Sequence, residues 1–206
     1  KHSDISTFSL HPLKPITTGE GGVVTTNNRL IATKIKNFRS HGIIRNSKFH
    51  WQYDILQLGY NYRLSDINSA LGISQLKKIK KFLQHRKKIY EYYKAELNGY
   101  KNIITFPKYD TKNKSSFHLV LININFEGLK LNKDFLLKYL DSKNITCQFH
   151  YIPIYKFALY KNKKIKLKSS EKYCKSSLSI PIFQTLDRKK RDRVIKAVKF
   201  FFRGCK

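Results

Sequence analysis

Between Ser65 and Leu97 the apolar residues Ile67, Leu71, Ile79, Leu83, Tyr90, Tyr93 and Leu97 return near one helical face. Ser65 stands where a cap belongs, and Asn98-Gly99 stops the pattern. We therefore expect one long helix from Ser65 to Leu97, separating an N-terminal part of the chain from a C-terminal one. Its Lys77, Lys78, Lys80, Lys81, Arg86, Lys87 and Lys88 read as a solvated face opposite the apolar stripe. A phosphate-binding stripe is the less economical reading of the same residues.

The two sides of that helix differ. On its N-terminal side, Ile5 to Leu10 and Gly21 to Thr26 read as short strands around the loop His11 to Glu20. Leu30, Ile31, Ile35 and Phe38 then predict a helix after Asn28 that ends at Gly42, with an irregular loop from Ile43 to Tyr62 behind it. After Tyr100 the pattern is strand, helix, strand: His118 to Asn125, Asn132 to Ser142 and Ile145 to Tyr151. A polar stretch at Lys161 to Ser170 and a helix from about Asp187 to Arg203 complete it. This is an α/β chain. We place the domain boundary between residues 98 and 99, close to the Asn-Gly pair and the polar Lys108 to Ser116 run.

Lys and Arg total 42 against 13 Asp and Glu, a formal net charge of +29, which raises nucleic acid or an anionic membrane as partners. The basic residues sit in every segment rather than on one arm, so a lysine-rich usage bias explains them, and neither partner is expected. Cys147, Cys174 and Cys205 form no CxxC pair, consistent with free thiols in a reducing, cytoplasmic compartment. His11, His41, His50, His85, His118 and His150 offer no short ligand pair, so no metal is expected. The chain opens at Lys1 inside apparently ordered structure and holds no methionine, so we read it as part of a longer protein.

Lys14 lies between Pro12 and Pro15, with Thr17, Thr18, Glu20, Gly21 and Gly22 close behind. Proline on both sides disfavours helix and restrains the backbone, which suits a lysine whose amine must be aimed for covalent chemistry. Composition alone would not select it from so many lysines.

The words around it do. Ser9-Leu10-His11-Pro12-Leu13-Lys14-Pro15-Ile16-Thr17-Thr18-Gly19-Glu20-Gly21-Gly22 resembles the lysine segment of the sugar aminotransferases, fold-type I enzymes that use pyridoxal phosphate. A second block, Gly59-Tyr60-Asn61-Tyr62-Arg63-Leu64-Ser65-Asp66-Ile67-Asn68-Ser69-Ala70-Leu71-Gly72, is similar to the family's loop-to-helix motif at the expected distance. Within the family, the His-Pro-aliphatic-Lys-Pro-Ile-Thr-Thr wording looks most like the transaminases of pseudaminic acid synthesis. Enzymes for another UDP- or GDP-keto-deoxysugar, such as a perosamine-type substrate, are the main rival.

The resemblance implies the end of a large cofactor domain over residues 1–98 and a small C-terminal α/β domain over residues 99–206. It implies that Lys14 carries pyridoxal 5′-phosphate and shuttles protons, with a nucleotide-linked keto-sugar as substrate and glutamate as donor. Ser9 would bond cofactor phosphate or substrate, although an ordinary strand serine explains it too. Asn61 would reach the active site of the partner subunit in a homodimer. Arg63 is open between phosphate binding and a buried ion pair with Asp66 or another carboxylate. Gln148, Phe149, His150 and Tyr151 match the segment that lines the nucleotide-sugar site, where the bland alternative is a structural strand end. The chain by itself is expected to be inactive. A basic nucleic-acid-binding module and a non-catalytic remnant are the rivals from other classes.

Overall fold

The computed structural model describes residues 3–45, 48, 49, 51–108, 114–160 and 165–205, and the chain divides into two compact units, Lys1–Lys80 and Lys81–Lys206. The second half of the long helical region contributes its apolar face to the core of the second unit.

In the first unit, β1 (Ser6–Ser9) and β2 (Gly22–Thr25) pair antiparallel, with Ser6 opposite Thr25 and Ser9 opposite Gly22. Helix α1 (Arg29–Arg39) starts where Asn28 Oδ1 accepts the N–H groups of Leu30 and Ile31 at 2.9 and 3.2 Å. The stretch after Gly42 is more ordered than an irregular loop. β3 (Ile43–Arg45) and β4 (Tyr53–Ile55) form an antiparallel pair, and Asn61 bridges Ser40. Three-residue strands are too short for alternation to announce them. Ser65 Oγ then caps α2 (Asp66–Lys77) by accepting the Asn68 N–H at 3.2 Å.

The expected single helix is two. At Lys78 the backbone N–H turns to the Gln75 carbonyl, tightening the ladder before α3 (Ile79–Glu96) begins. Among the described residues of the first unit only Leu10, Thr18 and Gly42 are buried, and α1 and α2 bury none.

The second unit has a conventional core. Strands β5 (Ile104–Thr105), β6 (Val120–Ile124) and β7 (Ser177–Ile180) form an antiparallel sheet in that order, with Val120 opposite Ile180 and Ile122 opposite Leu178. Val120, Ile122, Ile124, Leu178 and Ile180 are essentially solvent-free. Helix α3 adds Ile89 and Tyr93 to the same cluster, α4 (Lys133–Ser142) adds Leu136 and Leu140, and α6 (Arg188–Phe201) adds Val194 and Val198. Each such aliphatic burial contributes roughly 1.5–3 kcal/mol against chain entropy. Asn132 and Asp187 cap α4 and α6 with their side-chain oxygens, at the residues where the sequence starts both helices.

Strands β5 and β7 lie outside the expected elements, and two further segments differ from the sequence reading. Residues 145–151 form no strand, and among the described residues their one bridge is Gln148–Ser179. Helix α5 (Lys168–Ser176) takes the end of the expected polar stretch, whose residues 161–164 lie outside the described residues, as do 109–113 of the boundary run.

Candidate active site

The loop that carries Lys14 is closed at its base by backbone bonds. Leu10 N–H donates to the Gly21 carbonyl at 2.9 Å, and Thr18 N–H donates to the Leu10 carbonyl at 3.0 Å. Thr17 Oγ1 donates to the same Leu10 carbonyl at 2.9 Å. Within the loop, Lys14 N–H closes a turn on the His11 carbonyl at 2.9 Å, and Leu13 N–H donates to His11 Nδ1 at 3.2 Å. Prolines on both sides leave few backbone donors here, and those of Leu13 and Lys14 are both used.

Thr18 anchors this loop. It is 1% exposed, and its Oγ1 donates to the Glu20 carbonyl at 2.7 Å. A Cβ built on Gly21, where φ is +148°, would lie 2.6 Å from Thr18 Oγ1 and 2.9 Å from Leu64 Cδ1. Glycine is required there for space as well as conformation. Lys14 itself is half-buried, and its Nζ makes no hydrogen bond or ion pair among the described residues. An amine held on a pinned loop and not committed to a carboxylate has the chemistry an aldehyde cofactor needs. In that respect the residues fit pyridoxal phosphate. Ser9, at the end of β1, is exposed, and its Oγ accepts the His11 N–H at 3.5 Å.

Asn61 is held by a second device in the same unit. Tyr60 N–H donates to the Phe38 carbonyl at 2.8 Å, His41 N–H to the Tyr60 carbonyl at 2.9 Å, and Tyr62 N–H to the Arg39 carbonyl at 2.9 Å. These bonds lay residues 60–62 beside the end of α1. The approach needs two glycines, since a Cβ on Gly42 would stand 2.0 Å from the Gln57 carbonyl oxygen and one on Gly59 2.0 Å from Gly42 N. Asn61 is exposed. Arg63 is exposed too, and among the described residues it forms no ion pair, so the buried pairing with Asp66 is not what the structure contains. An open cleft of about 1530 Å³ is lined by Val23, Arg39, Tyr62, Arg63, Ser65 and Asn68; neither Lys14 nor Asn61 is in its wall.

The third candidate segment belongs to the second unit. Gln148 exchanges backbone bonds with Ser179 at 3.2 and 2.8 Å, which sets the segment beside β7. The Phe149 ring lies under Lys133 Nζ at 4.0 Å, and the His150 and Tyr151 rings meet edge to face at 4.6 Å. Tyr151 is 71% exposed and Gln148 is exposed, so both side chains are available to a ligand.

The helical pattern puts Arg86 on a solvated face, and the structure corrects this. Arg86 is 2% exposed. Its Nη1 donates to the carbonyls of Phe117, His118 and Ile182 at 3.2, 3.2 and 3.4 Å, and Nη2 donates to Gln184 Oε1 at 3.2 Å. Burial lowers its pKa, yet a guanidinium stays charged in proteins. A signal exists in the sequence: Leu83, Arg86, Tyr90, Tyr93 and Leu97 share one helical spacing.

The model of the DegT/DnrJ/EryC1/StrS aminotransferase family matches residues 1–199. The chain belongs to this family. It is 43% identical over 191 residues to the Campylobacter jejuni UDP-4-amino-4,6-dideoxy-N-acetyl-beta-L-altrosamine transaminase, covering 91% of this chain and 49% of that protein. It is 30% identical to the Caulobacter vibrioides GDP-perosamine synthase, covering 95% of this chain and 52% of that protein. Among solved structures it resembles Helicobacter pylori PseC, an aminotransferase involved in the biosynthesis of pseudoaminic acid, with a TM-score of 0.91 and 33% identity over 98% of this chain and 54% of that one. The fold is that of the fold-type I sugar aminotransferases, whose family is dependent on pyridoxal phosphate. The chain spans about half the length of the relatives it matches.

Proposed function

We propose that this chain is the lysine-bearing part of a pyridoxal-phosphate transaminase that converts the C4 keto group of a UDP-linked 4-keto-6-deoxy-N-acetylhexose to an amine. Glutamate is the donor in this reading. The observation that carries it is the half-buried Lys14 amine, uncommitted among the described residues, on a loop closed by Leu10, Thr18 and Gly21. The 43% identity to a UDP-amino-sugar transaminase supports the UDP-sugar class.

Bound pyridoxal phosphate supplies the electron sink that lets an amino group pass from donor to keto-sugar. The chain's own residues hold and orient. Lys14 Nζ would hold the cofactor's aldehyde end and, once the donor's amine had displaced it, would take and return the proton at the reacting carbon. Ser9 Oγ bonds phosphate or a sugar hydroxyl. Asn61 reaches the cofactor phosphate of the partner subunit, making the working form a cytoplasmic homodimer with shared sites. Gln148, Phe149, His150 and Tyr151 bind the nucleotide-sugar. Residues 1–98 form the end of the large domain and residues 99–206 the small one. The 30% identity to a GDP-perosamine synthase favours a second reading, the same chemistry on a GDP-keto-deoxysugar.

The reading is tested by amination assays with glutamate and either UDP- or GDP-keto-sugar, on a form that also carries the stretch by which the relatives are longer. Turnover of the UDP-sugar, with Gln148→Ala and Tyr151→Phe raising its KM while leaving the cofactor spectrum intact, is expected. Turnover of the GDP-sugar alone supports the second reading, and turnover of neither overturns both. Residues 1–206 alone are expected to be inactive: Phe8, Val23 and Val24 on β1 and β2 are 55%, 44% and 45% exposed, and a lone two-stranded ribbon is marginal in water.

A further inference from the structure

The second unit carries a cleft of about 1150 Å³ lined from β5, β6 and helix α5, with Lys133, whose ammonium lies over the Phe149 ring, also in its wall. One wall is a lysine row. Lys168, Lys172 and Lys175 stand at i, i+4 and i+7, so they share one face of α5, and all three are exposed without an ion pair among the described residues. The acidic residue between them, Glu171, is already engaged by the Tyr155 hydroxyl at 2.8 Å and by Lys156 at 3.5 Å. Glu127 is the other carboxylate in the lining.

The rest of the lining includes the amides of Asn123, Asn125 and Asn132 beside Ile103, Phe126 and Leu131. Asn125 Oδ1 accepts the Gly128 N–H at 3.0 Å and Asn132 Oδ1 the Asp134 N–H at 2.8 Å, which leaves both NH2 groups as donors. Asn123 Oδ1 is shielded from solvent and has no hydrogen-bond partner. Its cross-strand neighbour Ser177 is fully buried, and its Oγ also lacks one. Buried polar atoms left without partners are uncommon in a folded protein and call for an explanation. Three ammonium groups without an ion pair among the described residues, in one cleft with amide donors and an unused amide acceptor, suit a ligand with an oxyanion at one end and hydroxyls at the other.

We propose that this cleft binds a small polyhydroxylated anion, a phosphorylated or carboxylated sugar, with Lys168, Lys172 and Lys175 on the anionic group and Asn123 on a hydroxyl. The proposal does not depend on the transaminase reading. Binding of glucose 6-phosphate, glucuronate, glucose and inorganic phosphate to the chain, measured by calorimetry, tests it. Glucose 6-phosphate or glucuronate should bind more tightly than either glucose or inorganic phosphate. The Lys168→Ala/Lys172→Ala pair should weaken that binding by about tenfold or more. Lys80→Ala/Lys88→Ala removes the same charge from exposed positions elsewhere and should leave it unchanged. Asn123→Leu should abolish the preference for the sugar over inorganic phosphate. Inorganic phosphate binding as tightly as the sugar anions, equal losses in the two lysine pairs, or no binding of either sugar anion would overturn the proposal.

Discussion

The Thr18 methyl group meets Gly72 of helix α2 so closely that a Cβ on Gly72 would stand 2.8 Å from Thr18 Cγ2. The lysine loop is thus keyed into α2 by one methyl group and one missing one. Thr18 sits four residues after Lys14, and the same side chain bonds the Glu20 carbonyl, so a shift at Gly72 is transmitted to the loop's base.

Gly72→Ala is therefore expected to destabilise the protein by about 1–3 kcal/mol, the usual cost of overpacking. Thr18→Ser deletes the opposing methyl and keeps the hydroxyl, so it should recover part of that loss in the double variant. A double-mutant cycle read by urea denaturation checks this. Strict additivity of the two substitutions would mean that the contact does not matter.

Much of this device is legible in the sequence. Pro12, Lys14, Pro15 and the Gly21-Gly22 pair announce a constrained loop between strands, and Asn28, Ser65, Asn132 and Asp187 mark helix starts through their own side-chain chemistry. The break at Lys78 is hidden because apolar residues continue through it without glycine or proline. β3 and β4 are hidden because three residues carry too little periodicity. Arg86 hides among the other basic residues of the long helical region, and only its spacing from Leu83 and Tyr90 separates it from them. That the Lys14 Nζ is uncommitted, and that Arg63 is exposed rather than paired, are facts of side-chain placement that no spacing encodes.

Arg86 joins α3 to residues 117, 118, 182 and 184 through four neutral oxygens. Arg86→Met keeps most of the apolar stem but leaves those oxygens without their donor, and a loss of about 2–4 kcal/mol is expected. Arg86→Lys should recover only part of it, because one ammonium lacks the reach and fork of a guanidinium. Chemical denaturation of the two variants measures both losses, and a cost below about 1 kcal/mol for Arg86→Met would mean the cradle is incidental.

Burial pushes the Cys147 thiol up to about 12. At pH 8 only about one molecule in ten thousand then carries the thiolate, so iodoacetamide should spare Cys147 in the native protein while it labels freely in denaturant. The same shift sets the sign for stability. The folded state holds the proton more tightly than the unfolded chain, whose cysteine titrates near 8.5, so this contribution is complete below about pH 8.5 and is lost as pH rises toward about 12. Cys147→Ser should flatten that part of the pH dependence. Fast native-state alkylation of Cys147, mapped by mass spectrometry, would contradict the burial assigned to it.

The central claim is that, of all the lysines in this chain, Lys14 holds the cofactor. Its most direct test is borohydride reduction in the presence of pyridoxal phosphate, on a form that includes the stretch by which the relatives are longer, with peptide mapping of the product. The expected result is the cofactor fixed as a stable secondary amine on Lys14 alone, with Lys14→Arg unlabelled and without turnover, because a guanidinium cannot serve as nucleophile or base at accessible pH. Labelling of a different lysine, or undiminished turnover in Lys14→Arg, would contradict the account.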